Sequence, residues 1–410
     1  MMHAMGQQGT AIVVGAGVIG VTSAYVLARD GWDVTVIDRR SEPGEGTSKG
    51  NGRQLSYSHT NALASPALLR QIPSLLLGRN EAFRMSLRGR AGYHEWLARF
   101  LANCSGAAHR RNTLAVLALA RESQQAMHDL LSRHAIAFDY RETGKLVVLR
   151  TEQEVRLGQA MLAAKQAAGL NQRLVTREEA EEIEPALRQF PDPLAGAHYA
   201  PDDDTGDCGT FAKKLMQLAR DSFGARFLAL TGVSRLSRRK DRSEVELENG
   251  SVLEADLVVA ACGDATNLLL APRGHRLPIQ PMKGYSFTAP LGNSAPIVPV
   301  TDLKRRLVFT HLGDRMLVAG VAELGEVDRV VEADRLRSMV ESARACLPEA
   351  AVYSEADGGW AGLRPMTPDT QPIIRMLEPG IAVNAGHGML GWTLAMGSAE
   401  RLGALVREIA

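Results

Sequence analysis

Two glycine patterns and one arginine have the residue types and spacing to do chemistry. Gly15, Gly17 and Gly20 form a Gly-x-Gly-x-x-Gly motif. In such a motif the first glycine allows a tight turn, the second lets the backbone approach a pyrophosphate, and the third lets a helix pack closely on a strand. Asp38 follows about twenty residues later, where a carboxylate binds a ribose diol and repels a 2′-phosphate. The pattern predicts dinucleotide binding and disfavours NADP.

The second glycine pattern, Gly386–Gly391, lies near the C-terminus. No second strand with an acidic residue at its end can follow it before Ala410, so it does not predict a second dinucleotide site. A glycine-rich helix start can instead present its positive end to the pyrimidine edge of a flavin. The structural alternative is a tight strand-to-helix turn with no ligand.

Arg364 lies among apolar residues and two prolines, in a segment that we expect to be rigid. A buried arginine needs an anion, and its planar guanidinium suits a carboxylate. The residues alone leave two alternatives of equal weight, a ligand carboxylate and a salt bridge to Asp369 or another internal acid. Tyr285, His59 and His387 are the polar residues of these loops that could move protons, although single histidines are more often structural.

Composition bounds the class of protein. The 410 residues exceed one ordinary domain, so we expect two. The net charge of +1 argues against nucleic acid as the main partner. Four dispersed cysteines without a Cys-x-x-Cys pair predict neither a metal site nor a disulfide framework, and they favour a reducing compartment. Because the N-terminus lacks secretory-signal features, we expect a cytoplasmic chain.

The elements that position these motifs alternate between strands and helices. Around the first glycine motif, the pattern predicts a strand at Ala11–Val14, a helix at Val18–Arg29 and a strand at Val34–Ile37. The strand Ile381–Ala385 and the helix Thr393–Ile409 enclose the second motif in the same way. Other predicted helices are Glu152–Ala168, one capped at Thr176, Thr210–Phe223 and Asp334–Cys346, and other predicted strands are Ala225–Leu230, Glu244–Glu248, Leu257–Ala261, Arg305–Thr310 and Met316–Val321.

The segment Leu63–Arg111 is helical in pattern and basic. A solvated helical face is the simpler interpretation. The alternative is a surface that rests on anionic lipid at the inner face of a membrane, supported by the apolar runs Leu75–Leu77 and Trp96–Leu101. The arginines of this segment are Arg70, Arg79, Arg84, Arg88, Arg90, Arg99, Arg110 and Arg111.

Over nearly the whole chain, six motifs resemble the FAD-dependent D-amino acid dehydrogenase family, a relative of glycine oxidase and D-amino acid oxidase. The motifs are Ile12–Gly20, Thr47-Ser48 with Asn51 and Gln54, Asp204–Cys208, Lys283–Ser286, Gly362–Asp369 and Gly386–Trp392. The expected fold is α/β, with a discontinuous Rossmann-like FAD-binding domain and a mixed α+β substrate-binding domain that contains an antiparallel sheet. The expected FAD-binding pieces are 1–90, 195–280 and 355–410, and the expected substrate-binding pieces are 91–194 and 281–354.

The resemblance implies oxidative deamination of a D-amino acid, in which a hydride passes from the α-carbon to flavin N5 and the imino acid hydrolyses to a keto acid. Cyclic imino acids such as D-proline and D-hydroxyproline are among the candidate substrates. Electrons would pass to a quinone or another acceptor. The alternatives are an oxidase that uses oxygen and a flavoprotein subunit of a hetero-oligomer, and the resemblance leaves a homo-oligomer open as well.

By match to the motifs, Arg364 would bind the substrate carboxylate and Tyr285 would be a second substrate contact, with His387 as the third candidate catalytic residue. Gly-Arg-Gln follows Asn51 where the family has Ala-Gly-Gln, and this departure adds Arg53 to the candidate substrate contacts, together with His59. No cysteine follows Cys346, so non-covalent FAD is expected. The expected cofactor contacts are Gly15, Gly17, Val18, Ile19, Gly20, Asp38, Arg39, Thr47, Ser48, Asn51, Gln54, Val233, Cys262, Gly263, Gly388, Met389, Leu390, Gly391 and Trp392.

Overall fold

The computed structural model describes residues 8–76, 82–86, 89–167, 169–191 and 193–408. Its strands are Gly9–Val14 (β1), Trp32–Ile37 (β2), Gln54–Leu55 (β3), Phe83–Met85 (β4), Lys145–Leu149 (β5), Arg173–Val175 (β6), Gly196–Ala200 (β7), Asp204–Thr205 (β8), Arg226–Leu228 (β9), Val233–Arg239 (β10), Arg242–Leu247 (β11), Val252–Ala255 (β12), Leu257–Ala260 (β13), Gln280–Pro290 (β14), Val300–Asp302 (β15), Leu307–Leu312 (β16), Arg315–Leu324 (β17), Trp360–Met366 (β18), Ile373–Glu378 (β19) and Ile381–Ala385 (β20). Its helices are Val18–Arg29 (α1), Pro66–Leu76 (α2), Tyr93–Ala102 (α3), Gly106–Arg133 (α4), Glu152–Ala167 (α5), Arg177–Ile183 (α6), Cys208–Phe223 (α7), Thr266–Leu270 (α8), Ala333–Cys346 (α9) and Gly391–Arg407 (α10).

A six-stranded sheet carries both glycine motifs. Its order is β19-β20-β13-β1-β2-β9, and β19 is antiparallel to its neighbour while the other pairs are parallel. The residues of β13 and β20 are buried throughout, as in parallel strands covered on both faces, and the cores on the two faces contain helices α1, α7 and α10 on one side and strands β10–β12 on the other. Helix α1 packs against α7 and α10 over this sheet. The predicted strand–helix–strand unit at residues 11–37 and its distant return strands are therefore confirmed.

A second, nine-stranded sheet stands beside the first. Its strands follow the order β18-β14-β17-β16-β15-β5-β7-β6, and β4 pairs with β17. Most of the pairs are antiparallel, and β15–β5 and β17–β4 are parallel. On one face, Phe287 and Phe309 pack with Met339 of α9 in a buried core. The chain thus has the expected α/β fold, with one large, mostly parallel sheet and one large, mostly antiparallel sheet; β10-β11-β12 and β3-β8 form two small antiparallel sheets.

Sheet membership departs from the expected domain boundaries in three strands. The strands β4, β7 and β18 pair within the nine-stranded sheet, although they fall in the pieces expected to bind the nucleotide. Helix α4, expected in the other domain, packs on α10. The reason is physical, since a local pattern indicates that a strand forms, whereas its partner is chosen by packing between distant segments.

The basic segment 63–111 holds a strand as well as helices. In β4, Phe83 and Met85 are buried and Arg84 between them is exposed, an alternation too short to predict from the pattern. Trp96 and Phe100, on which the lipid alternative partly rested, are also buried. Arg79, Arg88 and Leu77 lie outside the described residues. Within the described part of the chain, no helix is both long and apolar enough to cross a bilayer.

Local capping and turn signals are confirmed in detail. Thr176 Oγ1 accepts a hydrogen bond from the Glu179 backbone N–H at 3.2 Å, and Glu179 Oε2 accepts one from the Thr176 N–H at 2.8 Å. This reciprocal pair is the capping box that the sequence predicts at the start of α6. The remaining predicted helices begin and end within two residues of the observed bounds wherever the chain is described.

Candidate functional site

A cavity of about 620 Å³ lies between the two sheets, at the carboxyl ends of the parallel strands β1, β13 and β20. Crevices at this edge of an open parallel sheet are the usual ligand sites of α/β folds. Its wall includes the glycine loop 15–19, segment 46–56, residues 59–71, the loop 261–264, the start of α10, and the face of the nine-stranded sheet that carries Gly284 and Arg364.

At two positions of the first motif, neighbouring protein atoms leave no room for any residue other than glycine. Gly15 has φ +104°, and a Cβ there would stand 2.6 Å from the Ala261 carbonyl oxygen. A Cβ on Gly20 would stand 1.8 Å from the Gly15 carbonyl oxygen, so helix α1 could not approach the loop. A Cβ on Gly17 meets no protein atom closer than Ser48 Oγ at 3.7 Å, and Gly17 lines the cavity. Its missing side chain therefore leaves space for a ligand.

Asp38 and Ser48 hold this loop in place. Asp38 Oδ2 accepts a hydrogen bond from the Ala16 N–H at 2.7 Å, and its Oδ1 accepts one from the Arg40 N–H at 2.9 Å. Ser48 Oγ accepts from the Val18 N–H at 3.1 Å. Since the first N–H groups of a helix have no partner within it, the start of α1 suits an anion. The carboxylate of Asp38 faces the same cavity, where a ribose hydroxyl can donate to it.

Deeper in the cavity, buried polar atoms lack a hydrogen-bond partner. Among the described residues these include Gln54 Nε2, Asn61 Oδ1, His59 Nδ1 and Trp392 Nε1, each on the lining. A buried donor or acceptor without a partner costs about 1–3 kcal/mol. A planar ligand with both carbonyl and N–H groups, as a flavin ring has, would satisfy such a mixed set.

The start of α10 faces these orphaned atoms. Residues 386–393 line the cavity, and no side chain caps the helix at its first turn. The positive end of the helix is therefore available to a partial negative charge on a ligand. Trp392 anchors this turn by packing against Phe138 and Phe211. These residues fit the pyrimidine edge of a flavin, as the second glycine motif predicts.

The Arg364 guanidinium is the charged group that faces the cavity from β18. It lies flat over Gly284 of β14, where a Cβ would stand 2.3 Å from Arg364 Nη2. Its hydrogen bond to the Val321 carbonyl oxygen is long, at 3.5 Å, and Asp369 instead accepts from the Gln371 N–H. Burial and the nearby Arg306 lower the pKa of Arg364 to about 10, and no described acid offsets them. The internal salt bridge to Asp369 is thereby excluded.

Comparison with known proteins decides the family. Residues 10–405 match the family described as FAD dependent oxidoreductase. The chain belongs to this family. It is 37% identical over 399 residues to a protein named D-amino acid dehydrogenase from Methylobacterium sp. (strain 4-46), covering 96% of this chain and 94% of the relative.

Solved structures support the same fold. Glycine oxidase from Geobacillus kaustophilus superimposes with a TM-score of 0.75 at 22% identity, covering 98% of this chain and 95% of that one. L-proline dehydrogenase from P. horikoshii gives 0.74 at 21% identity, covering 98% and 94%. As an FAD dependent oxidoreductase the chain uses FAD, and the glycine loop, the orphaned polar atoms and the start of α10 are residues that fit it.

Two expected substrate contacts of this oxidoreductase have partners within the protein. Tyr285 borders the cavity, but its hydroxyl donates a hydrogen bond to Glu323 Oε2 at 3.0 Å and is therefore already engaged within the protein. Arg53 lines the cavity, but its Nη1 pairs with Asp207 and its Nη2 with Asp139, each at 2.8 Å. Because two carboxylates already balance its charge, Arg53 is not a free anion ligand.

The two candidate histidines line the cavity in neutral form. His387 Nε2 lies 3.1 Å from Ser398 Oγ, and burial lowers the His387 pKa to about 3. Burial, with Lys145 and Lys165 nearby, also holds the pKa of His59 well below its usual range. Neither imidazole is a cation at neutral pH, so electrostatic binding of a carboxylate falls to the arginines. A catalytic part for His387 stays a prediction.

Most of the expected cofactor contacts converge on the cavity. Arg39 does not, because it is exposed on the outer side of the loop, and Arg40 lines the cavity instead. Val233 packs into the core beside β11. Gly20 lies behind the loop, where it serves the packing of α1. The expected contacts on the lining are Gly15, Gly17, Val18, Ile19, Asp38, Thr47, Ser48, Asn51, Gln54, Cys262, Gly263, Gly388, Met389, Leu390, Gly391 and Trp392.

A buried ionic cluster beside the cavity was missed from sequence. Lys145 Nζ donates to Ser56 Oγ, and Lys165 Nζ donates to the Ser58 carbonyl oxygen, both at 2.7 Å. Asp203 Oδ1 accepts from the Ser58 N–H at 2.8 Å. Burial lowers the pKa of Lys145 to about 8 and raises that of Asp203 to about 6. Lys145 begins an apolar strand, a position at which sequence does not distinguish an exposed lysine from a buried one.

Proposed function

We propose that this FAD dependent oxidoreductase carries out the oxidative deamination of a D-amino acid. The observation that carries the proposal is the Arg364 guanidinium, which faces the cofactor cavity without an acidic partner. The name of the Methylobacterium relative, D-amino acid dehydrogenase, supports the choice of substrate class. When bound without a covalent link, FAD supplies a flavin N5 that accepts a hydride from the substrate α-carbon.

The residues of the chain would orient the substrate. The planar fork of Arg364 would bind the α-carboxylate through two parallel hydrogen bonds, which fixes the direction of the α-carbon. Gly284 keeps the guanidinium flat against β14. The positive end of α10 would stabilise negative charge at the edge of the cavity that it faces. The imino acid product hydrolyses to a keto acid and ammonia after it reaches water.

Transfer of electrons to a quinone or another carrier is part of the same proposal. Exposed Arg70, Arg99 and Arg110, with the exposed Leu69 and Leu101, support a peripheral contact with anionic lipid, where quinones reside. Co-sedimentation with anionic and neutral vesicles measures that contact.

The test is turnover by the purified holoenzyme with an artificial dye and matched panels of D- and L-amino acids that include D-proline and D-hydroxyproline. We expect turnover of D-enantiomers without peroxide formation. Arg364→Ala should raise the Michaelis constant steeply, and Arg39→Ala, outside the cavity, should not. Turnover of L-enantiomers alone, or an unchanged Michaelis constant in Arg364→Ala, would contradict the proposal. Stoichiometric peroxide would identify an oxidase instead, and activity only with a partner chain would identify a subunit.

A further inference from the structure

The cavity lining contains a further arginine, Arg306, which takes no part in the carboxylate binding proposed for Arg364. Arg306 ends the turn between β15 and β16, and it lines the same cavity as Arg364. Its chain neighbour Arg305 pairs with Asp302 at 3.3 Å. Arg306 forms no ion pair with any acid of the described chain. Of two adjacent arginines, one is therefore neutralised inside its own turn and the other is directed at the cavity.

The structure holds Arg306 firmly in that position. Its backbone has φ +52°, a left-handed conformation that L-residues other than Asn and Asp adopt rarely. The turn packs so closely on β17 that a Cβ on Gly320 would stand 2.2 Å from the Arg306 carbonyl oxygen. The guanidinium carbon lies 4.6 Å from the centre of the Phe83 ring, within range of a cation–π interaction. Unfavourable backbone conformations persist mainly at functional sites, where the surroundings impose them.

Among the residues that the structure describes, no acid is a counter-ion for Arg306. Burial lowers its pKa, and its proximity also lowers the pKa of Arg364, so the two positive charges destabilise each other. The acids on the cavity lining are already engaged. Asp38 accepts backbone N–H groups, Asp264 pairs with Arg90 and Arg329, and Asp302 pairs with Arg150 and Arg305. A buried cation without a partner is unfavourable, which makes a ligand the natural source of the missing anion.

We propose that Arg306 binds a second anionic group of the substrate, so that this enzyme prefers acidic amino acids, with the side-chain carboxylate at Arg306 and the α-carboxylate at Arg364. The inference rests on the proposed function and deepens it. The cofactor diphosphate is not the expected partner, because the glycine loop and the start of α1 already provide its site. The planar fork of arginine matches a carboxylate through two hydrogen bonds.

The experiment compares acidic substrates with their neutral amides, which have nearly the same shape. Using the holoenzyme and a dye, kcat/KM is measured for D-aspartate and D-glutamate against D-asparagine and D-glutamine. We expect the wild type to prefer each acid by about tenfold or more. Arg306→Gln should lower kcat/KM for the acids by roughly 10- to 100-fold and for the amides by less than about threefold. Arg306→Lys should keep part of the preference, and Arg305→Gln, in the same turn, is the matched control.

Equal losses for acids and amides in Arg306→Gln would overturn the inference, because they would place Arg306 at the α-carboxylate. A wild type that prefers the amides would also overturn it. A change in the flavin spectrum of Arg306→Gln with acid preference intact would assign Arg306 to the cofactor instead.

A ligand-binding experiment distinguishes failure of this inference from failure of the proposed function. If no D-amino acid is turned over, the proposed function fails, but binding of glutarate and of its monoamide still perturbs the flavin absorbance of the holoenzyme. We expect the wild type to bind glutarate about tenfold more tightly than the monoamide, and Arg306→Gln to lose the difference. Equal affinities in the wild type would refute a second anion site whatever the reaction is.

Discussion

Substitution of Gly284 by alanine would move the Arg364 guanidinium without changing its charge. A Cβ at position 284 would stand 2.4 Å from Arg364 Cζ and 2.3 Å from Nη2, and the three nearest heavy atoms all belong to Arg364. Ordinary contact begins at 3.4 Å, so the guanidinium must shift by about 1 Å. Gly284 does not have a positive φ, so alanine causes no backbone strain there. The substitution therefore acts on the substrate clamp and leaves the fold intact.

The magnitude follows from the contact that is lost. A charge-assisted hydrogen bond contributes about 1.5–3 kcal/mol. Its loss corresponds to a rise of roughly 10- to 150-fold in the Michaelis constant for the best D-amino acid substrate. The far end of an arginine side chain moves easily, so we expect the melting temperature to fall by only a few degrees, about 1 kcal/mol of stability.

The assay is steady-state kinetics with a dye, together with flavin content and thermal unfolding. Gly52→Ala is the matched control, because Gly52 lines the same cavity and a Cβ there would lie at 3.6 Å from Ala319 and Val308, an ordinary contact. We expect its Michaelis constant to stay near that of the wild type. A Gly284→Ala enzyme with full flavin content and an unchanged Michaelis constant would refute the assignment of Arg364 to the carboxylate.

Three further outcomes are expected. Gly17→Val should fold, because a Cβ at Gly17 has room and the φ of Gly17 is −67°. We expect the variant to lose most of its flavin. Flavin retained in the purified variant would contradict the proposed diphosphate site. Tyr285→Phe should lose about 1 kcal/mol of stability, because it removes the hydrogen bond to Glu323, and should keep the Michaelis constant of the wild type. Urea unfolding measures the stability and steady-state kinetics measure the Michaelis constant. For Lys145, folding lowers the pKa from 10.5 to about 8, so between those pH values the unfolded chain binds more protons and the unfolding free energy rises with pH. Urea unfolding at pH 7, 8.5 and 10 should show a smaller rise of the unfolding free energy in Lys145→Met than in the wild type, by up to roughly 3 kcal/mol. An equal rise in both proteins would contradict burial of the charged amine.

Local sequence predicts the cofactor end of the site well because backbone geometry builds it. Gly15 is constrained by Ala261, which lies far along the chain, whereas Gly20 is constrained by the Gly15 carbonyl oxygen of the same loop, so the spacing of the motif indicates how the helix packs on the turn. The capping box at Thr176 and Glu179 is predictable for the same reason, since both hydrogen bonds span three residues. Interactions between residues a few positions apart can be predicted from the residue types at those positions.

The substrate end is less predictable because distant strands supply it. Tyr285 follows Gly284 and borders the cavity, yet its side chain packs in the core with Phe287 and its hydroxyl binds Glu323. Arg53 is sequence-adjacent to the flavin motif but is neutralised by Asp139 and Asp207, which are far along the chain. These acidic partners could not be identified from sequence without knowing which segments of the chain lie next to each other.

Arg306 and Lys145 show what decides whether a basic residue is functional. Both line the cavity, where Lys145 is buried and Arg306 half-buried, but Lys145 has an acid, Asp203, that raises its pKa against burial, whereas no described acid does so for Arg306. In sequence, Arg306 is one of three consecutive basic residues in a turn, which is typical of a solvated surface. The difference arises only when the left-handed backbone of Arg306 packs on β17 and turns its side chain toward Arg364. Short sequence motifs therefore indicate the family and the cofactor, but the proposed substrate specificity depends on which charged side chains lack a counter-ion in the folded protein.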